Sequence, residues 1–240
     1  MLFRSRYAGA GLDEGLRSLV VSSCVQDDGK STIAVNLARV MALAGQDVIL
    51  IEGDLRRPRL KRLFNAGKNR PGLAQLLVGA TSLENALVTT PVPGLRVIFA
   101  GDSPPNPSEL LGSSRLSELV EYLATDHVVL IDAPPVLPVT DAVALAEHVD
   151  GMLMIVRAGH TTSDQLRQAM TTLTRGGGKV IGLVLNQVAV SALGKFRYGG
   201  SDYYFDHEYR EDPEPQDRPA RAAGRSEEHT SELQSHDCIS

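Results

Sequence analysis

The sequence contains little cysteine, no long apolar run and no surplus of basic residues. Its two cysteines, Cys24 and Cys238, are far apart and form no C-x-x-C pair, which argues against a disulfide scaffold, a zinc site and an iron–sulfur cluster. No apolar run approaches the roughly 18 residues of a membrane span, and no signal peptide precedes the first apolar strand. The net charge of −5 lacks the basic excess of a dedicated nucleic-acid binder. We therefore expect a cytoplasmic protein with no nucleic-acid partner.

The chain divides into one domain and an acidic tail. Its 240 residues, 42% of them hydrophobic, can bury one sizeable core and leave a short appendage. Residues 1–201 carry 20 basic and 18 acidic side chains, whereas residues 202–240 carry 4 and 11. We expect a domain over residues 1–197 and a flexible tyrosine-rich tail over residues 198–224. Residues 225–240 resemble the translation of a widely used sequencing adapter, and we exclude them from functional reasoning.

Six apolar, β-branched runs alternate with helical patterns along the chain, which predicts a parallel sheet. The hydrophobicity of each run is continuous, as in strands that helices cover on both faces. We therefore predict an α/β fold with a doubly wound, mostly parallel sheet, in which ligands bind outside the carboxyl ends of the strands. The six runs are Leu19–Val21, Val48–Ile51, Leu95–Phe99, Val128–Ile131, Met152–Val156 and Val180–Leu185.

The first strand leads through a polar turn into Gly29-Lys30-Ser31-Thr32 at the start of a helix. This is the pattern of a phosphate-binding loop, in which backbone N–H groups surround an anion, a lysine reaches the β- and γ-phosphates, and a hydroxyl ligates magnesium. The predicted helix, Thr32–Ala44, directs the positive end of its dipole at the phosphates. We predict that Asp28 and these four residues bind a nucleotide, and that Ser31 also serves the metal.

The loop departs from the pattern G-x-x-x-x-G-K-[ST] at two places. Cys24 stands where the first glycine would fall, and Asp27 and Asp28 stand where a small residue allows the backbone its closest approach. Two carboxylates repel phosphates unless magnesium or a nearby arginine intervenes. Nucleotide binding is therefore still predicted, with its affinity left open.

Acidic residues follow two of the predicted strands. Glu52 and Asp54 come after the second strand, and Asp132 comes after the fourth. One such acid is typically a turn former or a helix cap. Two strand ends with acids beside a P-loop lysine favour a phosphoryl-transfer site, which needs acids to hold magnesium and to orient the attacking oxygen. We predict catalytic roles for Lys30, Asp54, Asp132 and Glu52, with Asp54 and Asp132 also serving the metal.

Three further segments have open interpretations. Asn186, at the end of the last strand, is either a residue that binds the adenine edge or a turn former. The basic run Arg56–Arg62 is either a contact for phosphates or acidic lipid, or a solvated helix face. The segment Gly101–Leu111 is a proline-rich connector that opens a helix, and we predict Ser108 as its cap.

Four of the six tyrosines lie in a short stretch rich in glycine and acids: Tyr198, Tyr203, Tyr204 and Tyr209. Such a composition cannot pack a core, so these side chains are predicted to be accessible phosphoacceptors. An interaction tail, or a segment ordered against another subunit, remains the alternative.

Together these residues resemble the cytoplasmic domain of the bacterial tyrosine autokinases that control export and chain length of capsular and exopolysaccharides. Those kinases are P-loop ATPases of the ParA/MinD-like, deviant Walker class. The resemblance runs from about Leu16 to Tyr209. It rests on Gly29-Lys30-Ser31-Thr32, Asp54-Leu55-Arg56-Arg57-Pro58, the segment Pro104–Leu111, Asp132-Ala133-Pro134-Pro135 and the tyrosine-rich tail.

The resemblance implies ATP and Mg²⁺ as cofactors. It implies that Lys30 binds phosphates, that Ser31 and Asp132 serve magnesium, and that Asp54 lies at the metal and the attacking hydroxyl. It also implies a ring-forming homo-oligomer that phosphorylates tail tyrosines in trans. A membrane-embedded chain-length or export adaptor and a tyrosine phosphatase are its expected partners. Recruitment to the inner face of the plasma membrane would then use that adaptor or a missing N-terminal segment.

The chain departs from the family in having Glu52 where aspartate is usual and Gln26-Asp27-Asp28 where a Pro-Gly-Glu run is usual. A catalytically weak, nucleotide-gated scaffold is therefore one alternative. A ParA/MinD-like partitioning ATPase is another, but those ATPases carry an additional lysine five positions before the P-loop lysine, where this chain has Val25.

Overall fold

The structure, a computed structural model, describes residues 15–67 and 70–189. In this part of the chain a seven-stranded sheet has the order β3-β4-β2-β5-β1-β6-β7. The strands are β1 (Ser18–Ser23), β2 (Val48–Glu52), β3 (Leu87–Thr89), β4 (Leu95–Ile98), β5 (Val128–Asp132), β6 (Gly151–Arg157) and β7 (Val180–Asn186). All neighbouring strands are parallel except β3 and β4. The predicted α/β fold is confirmed.

Helices connect the strands. In chain order they are α1 (Lys30–Leu43), α2 (Leu60–Leu63), α3 (Leu73–Leu77), α4 (Leu83–Ala86), α5 (Pro107–Leu111), α6 (Ser114–Ala124), α7 (Asp141–Ala146) and α8 (Ser163–Arg175). None of the helices within the described residues is long and apolar enough to cross a membrane.

Each buried strand contributes to two hydrophobic clusters, one on each face of the sheet. In β2, for example, Ile49 and Ile51 belong to one cluster and Val48 and Leu50 to the other. Successive side chains of a strand point to opposite faces, so both faces must be apolar when both are covered. This explains the continuous apolar runs of the inner strands. The run in β7 is an exception to the prediction, because β7 is an edge strand whose Ile181, Leu183 and Leu185 are exposed on one face.

Strand β3 does not correspond to any of the predicted runs. Leu87–Thr89 is three residues long, pairs antiparallel with β4 at the edge of the sheet, and has no fully buried residue. An edge strand needs neither length nor continuous hydrophobicity, so its sequence carries a weak signal.

The prediction of Ser108 as a helix cap is wrong. Helix α5 begins at Pro107, and Asn106 occupies the cap position. Proline is favoured at the first helical position because its missing N–H has no partner there in any helix. Ser108 therefore lies inside α5, where its hydroxyl contacts Asp141.

Strand β5 lies between β2 and β1, so the segments that follow these three strands meet at one edge of the sheet. Asp132 is in register with Val21 of β1 and with Glu52 of β2. The P-loop, the Asp54 loop and Asp132 are thus brought together at the carboxyl ends of parallel strands, where ligands bind in folds of this kind.

Candidate functional site

A cavity of about 490 Å³ opens at this edge of the sheet. The P-loop forms one wall, with Gly29, Lys30, Ser31 and Thr32 all contributing to it. Residues of the segment from Asp54 to Arg62 also line it. The predicted nucleotide site and the basic run therefore face the same space.

The P-loop bends sharply just before α1. Asp27 and Gly29 have φ angles of 62° and 95°, a conformation that favours glycine and that aspartate tolerates better than most residues. A Cβ on Gly29 would lie 2.3 Å from the side-chain nitrogen of Asn186. Gly29 is thus required by both conformation and space, and α1 begins directly after it with its free N–H groups at the cavity.

Lys30 lies between two carboxylates. Its ammonium nitrogen is 3.0 Å from Asp54 Oδ2 and 3.6 Å from Asp132 Oδ1. All three residues are buried. Burial raises the pKa of Asp132, while the neighbouring Lys30 opposes that rise. Lys30 and Asp54 line the cavity, and Asp132 is held next to them by its contact with Lys30.

The donor set fits a hard divalent cation. Within the described residues, Asp132 Oδ1 has no hydrogen-bond partner, and the hydroxyl of Ser31 and the carboxylate of Asp54 line the same cavity. The described residues contain no cluster of three or more side chains of the His, Cys, Asp and Glu types suited to a metal. Mg²⁺ usually takes one or two carboxylates and completes its shell with phosphate and water, which matches this set.

Asp54 is fixed by its own loop. Its Oδ1 accepts a hydrogen bond from the backbone N–H of Arg57 at 3.0 Å, while Oδ2 contacts Lys30. Only 5% of Asp54 is exposed. The loop after β2 therefore presents this carboxylate to the cavity in one orientation.

Glu52 is placed differently from Asp54, although both follow the same strand. Its Oε1 accepts from the backbone N–H of Leu60 at 2.6 Å, and its Oε2 accepts from that of Ala100 at 2.9 Å. The side chain is fully buried and does not line the cavity. Burial raises its pKa, and these two N–H donors oppose the rise. The structure thus gives Glu52 contacts that join two loops, and its predicted catalytic role stays a prediction.

Asp28 also points away from the cavity. Its Oδ1 accepts from the hydroxyl of Thr161 at 2.7 Å and contacts Nδ1 of His160 at 3.0 Å. The residue is fully buried, so its carboxylate is separated from the space expected for phosphates. Asp27, in contrast, is exposed, and both terminal nitrogens of Arg59 lie 3.1 Å from its Oδ1. Arg59 is thus a nearby arginine that offsets the charge of Asp27.

Asn186 holds the P-loop. Its side-chain nitrogen donates to the carbonyl oxygen of Asp28 at 2.9 Å, and its side-chain oxygen accepts from the N–H of Gln187 at 2.9 Å. Each end of the amide thus makes one hydrogen bond within the protein, which fixes its orientation against the P-loop. Its predicted contact with an adenine edge stays a prediction. Gln187, the next residue, lines the cavity instead, and sequence reasoning did not single it out.

The basic run is mostly loop. Helix α2 begins only at Leu60, so a solvated helix face does not describe Arg56, Arg57 and Arg59. All three line the cavity, as does Arg62. Of the two interpretations, the structure favours a functional one. The tail tyrosines at positions 198, 203, 204 and 209 lie outside the described residues.

An acid that sequence reasoning missed fixes the start of this run. Arg56 donates through Nε and Nη2 to the two carboxylate oxygens of Asp141, at 2.8 and 3.1 Å, and Ser108 contacts the same carboxylate. Asp141 is fully buried, and this hydrogen bonding raises the pKa of Arg56. In sequence, Thr140-Asp141 has the pattern of an ordinary helix start. The role of Asp141 becomes visible only through its contact with Arg56, 85 positions away.

We expect Asp141→Asn to lower the free energy of unfolding by about 1–3 kcal/mol, because the buried Asp141 carboxylate loses its charge-assisted hydrogen bonds to the partly exposed Arg56. The matched control is Asp164→Asn, since Asp164 pairs with Arg167 at the surface and such pairs contribute about 0.5 kcal/mol or less. Urea titration of both variants gives the comparison. Equal losses in the two variants would show that the Asp141 contact contributes nothing special.

Cys24 should be inert towards alkylation. Its thiol is fully buried, and burial, with a smaller contribution from the Asp28 carboxylate, raises its pKa to about 11. The reactive thiolate is therefore scarce near neutral pH. Peptide mapping after iodoacetamide treatment at pH 8 should find Cys24 unmodified in the folded protein and modified in urea. Rapid modification of the folded protein would contradict this placement.

A strand, a P-loop lysine, a following helix and two strand-end acids around one cavity define a nucleotide-binding protein of the P-loop class. Comparison with protein families agrees: residues 26–197 match the family described as the CobQ/CobB/MinD/ParA nucleotide binding domain. The chain belongs to this family, and within it to the branch of bacterial tyrosine-protein kinases.

Curated relatives define that branch. The chain is 40% identical over 178 residues to Tyrosine-protein kinase ptk of Acinetobacter johnsonii, covering 73% of this chain and 24% of that protein. It is 32% identical over 196 residues to Putative tyrosine-protein kinase CapB of Staphylococcus aureus, covering 81% of this chain and 86% of CapB. The chain thus spans about a quarter of the first relative and most of the second.

Solved structures give the same result. The kinase domain of the Escherichia coli tyrosine kinase ETK superposes with a TM-score of 0.68 at 31% identity, covering 72% of this chain and 69% of that one.

Proposed function

We propose that this chain is an ATP-dependent protein tyrosine kinase that phosphorylates the tail tyrosines of a second copy of itself. The observation that carries the proposal is the position of Lys30, which lines the cavity, between the carboxylates of Asp54 and Asp132. The similarity to tyrosine-protein kinases supports this reading over a partitioning ATPase. Val25, at the position of the additional lysine of those ATPases, agrees with it.

The reaction is an in-line displacement at the γ-phosphorus of ATP. The phenolic oxygen of tyrosine forms a bond to phosphorus, the bond to the β–γ bridging oxygen breaks, and ADP leaves. Asp54 accepts the phenolic proton, and Lys30 and the N–H groups at the start of α1 stabilise charge on the phosphates. Catalysis of this type depends on positioning and charge neutralisation.

Ser31, Asp54 and Asp132 would hold Mg²⁺. When bound, the cation neutralises charge on the β- and γ-phosphates. Lys30 leaves Asp54 when it binds the phosphates, which frees that carboxylate for the metal and the tyrosine. Asn186 and Asp28 act indirectly in this scheme because they fix the backbone of the P-loop, while Gly29 and Thr32 face the nucleotide.

We propose that Glu52 is a positioning residue. Its two hydrogen bonds join the start of α2 to the segment after β4, so it supports the loop that carries Asp54. This role differs from the catalytic one that its position after the strand suggested.

We propose the setting that the family resemblance implies. The kinase would form a homo-oligomer, act in capsular or exopolysaccharide synthesis and export, and be opposed by a tyrosine phosphatase. It would lie at the inner face of the plasma membrane, recruited by a membrane-embedded adaptor.

The fate of the γ-phosphate tests the proposal. The full chain is incubated with Mg-ATP, and ADP, inorganic phosphate and phosphotyrosine are quantified. A kinase transfers phosphate to tyrosine, and replacing Tyr198, Tyr203, Tyr204 and Tyr209 with phenylalanine strongly reduces ADP formation. A partitioning ATPase would release inorganic phosphate at the same rate with and without these replacements. A scaffold would bind ATP and form no ADP.

A further inference from the structure

The lining of the cavity carries an excess of positive charge. Five cations and two acids line it: Lys30, Arg56, Arg57, Arg59 and Arg62, with Asp27 and Asp54. An arginine-rich concave surface attracts carboxylates and phosphates, which the guanidinium group can bind through two parallel hydrogen bonds.

Three of the five cations already have a carboxylate partner, and the pairs are Lys30–Asp54, Arg59–Asp27 and Arg56–Asp141. Arg57 instead donates to the neutral side chain of Gln26 at 2.8 Å. Arg62 lies on the short helix α2, exposed, with no carboxylate within salt-bridge distance among the described residues. Arg57 and Arg62 are therefore the two cations of the lining whose charge is not balanced by a neighbouring acid.

The sequence of the tail offers the complementary charge. Residues 198–224 contain seven acidic and three basic side chains. Tyr203, Tyr204 and Tyr209 each have an acid within two positions, whereas Tyr198 has none. A carboxylate two positions from a tyrosine is at most about 7 Å away along the backbone. An acceptor ring inside the cavity would therefore leave its acidic neighbours near the mouth.

We propose that Arg62, assisted by Arg57, forms a docking surface for an acidic tyrosine segment of a second copy of this chain. The proposal rests on the kinase function and names the substrate that the site selects. The guanidinium groups bind carboxylates beside the acceptor, and the phenolic oxygen reaches the γ-phosphate deeper in the cavity. Charge pairs at the rim of an interface govern encounter and register, so Arg62 controls which tyrosines are used.

Transfer between two chains tests this. The enzyme is the full chain with its four tail tyrosines replaced by phenylalanine, and the acceptor is the full Lys30→Met chain. In the enzyme, Arg62→Glu should raise the KM for the acceptor about tenfold, with kcat and the KM for ATP changed less than about twofold. The matched control is Arg175→Glu, an exposed arginine in the last turn of α8, which should change neither KM.

A charge exchange makes the test specific. An acceptor that carries Asp206→Lys and Glu208→Lys should be a poor substrate for the enzyme with Arg62 and a better one for the Arg62→Glu enzyme. Mass spectrometry of early products should find phosphate on Tyr203, Tyr204 and Tyr209 before Tyr198. Equal use of all four tyrosines, an unchanged acceptor KM, or a KM change for ATP alone would overturn the proposal.

Binding separates this proposal from the kinase function. A fluorescent peptide of residues 199–212 is titrated with the full chain in the presence of a non-hydrolysable ATP analogue. Affinity that falls with Arg62→Glu and with salt supports docking even if no phosphate is transferred, and then only the kinase proposal fails. If Arg62→Glu leaves phosphate transfer to the acceptor unchanged, the kinase proposal stands and the docking proposal is wrong.

Acidic lipid is the competing ligand for such a surface. The same variants are therefore sedimented with vesicles of phosphatidylcholine with and without phosphatidylglycerol. If Arg62→Glu abolished vesicle binding and left peptide affinity unchanged, the surface would belong to a membrane and the docking proposal would be wrong.

Discussion

Asp54→Asn is expected to reduce tyrosine phosphorylation by at least about 100-fold, the usual lower bound for removing a general base. Asparagine keeps the oxygen that accepts from the N–H of Arg57, so the loop retains its shape. The side chain no longer accepts the phenolic proton, and it no longer offers a charged ligand to the metal. The loss should appear in kcat.

ATP binding should survive in this variant. Removing a negative charge near the triphosphate lowers repulsion, so the Kd for a fluorescent ATP analogue is expected to stay the same or fall. Asp102→Asn is the control, because Asp102 is exposed and contacts Gln75 instead of lining the cavity. Activity of Asp54→Asn within threefold of the unmodified chain would remove Asp54 from the reaction.

Glu52→Ala is expected to lower the free energy of unfolding by about 2–6 kcal/mol. Two buried N–H groups, of Leu60 and Ala100, lose their acceptor, and each unsatisfied buried donor costs about 1–3 kcal/mol. For a domain of this size, each kcal/mol lowers the melting temperature by about 2–4 °C. Urea and thermal unfolding measure both quantities. A variant of unchanged stability and lost activity would instead restore the catalytic role predicted from the sequence.

The pH dependence of stability gives a second reading of Glu52. Because burial raises its pKa in the folded state, the folded protein holds this proton more tightly than the unfolded chain does. Stability therefore falls as the pH rises from the ordinary glutamate pKa, about 4.3, through the raised value. Glu52→Gln removes this contribution and should flatten the curve in that window. An unchanged slope would show that the Glu52 pKa has not moved.

Much of the fold could be predicted from sequence, since buried parallel strands are recognisable as continuous apolar runs. Strand β3 could not, because a three-residue edge strand with only two partly buried apolar residues is too short to give a clear apolar run. The start of α5 was misplaced for a different reason. Asn106, Pro107 and Ser108 all suit a helix start, and only the fixed φ of proline decides between them.

The site divides in the same way. Lys30 and Asp54 belong to local motifs whose chemistry is tied to spacing, so their meeting at one cavity could be predicted. The direction of a side chain depends on distant donors, and no local pattern contains those. Glu52 turns to the N–H of Ala100, and Asp28 turns to Thr161, 133 positions away. A charged residue next to a motif can therefore hold the protein in place through hydrogen bonds instead of binding the ligand of that motif.

The measurement that tests the central claim most directly is phosphotyrosine mapping by mass spectrometry after incubation with Mg-ATP, beside a Lys30→Met control. The account predicts phosphate on Tyr203, Tyr204 and Tyr209, with less on Tyr198, and none in the control. An unlabelled chain that still binds ATP would contradict the assignment as a kinase, and equal label in the Lys30→Met chain would contradict the assigned site.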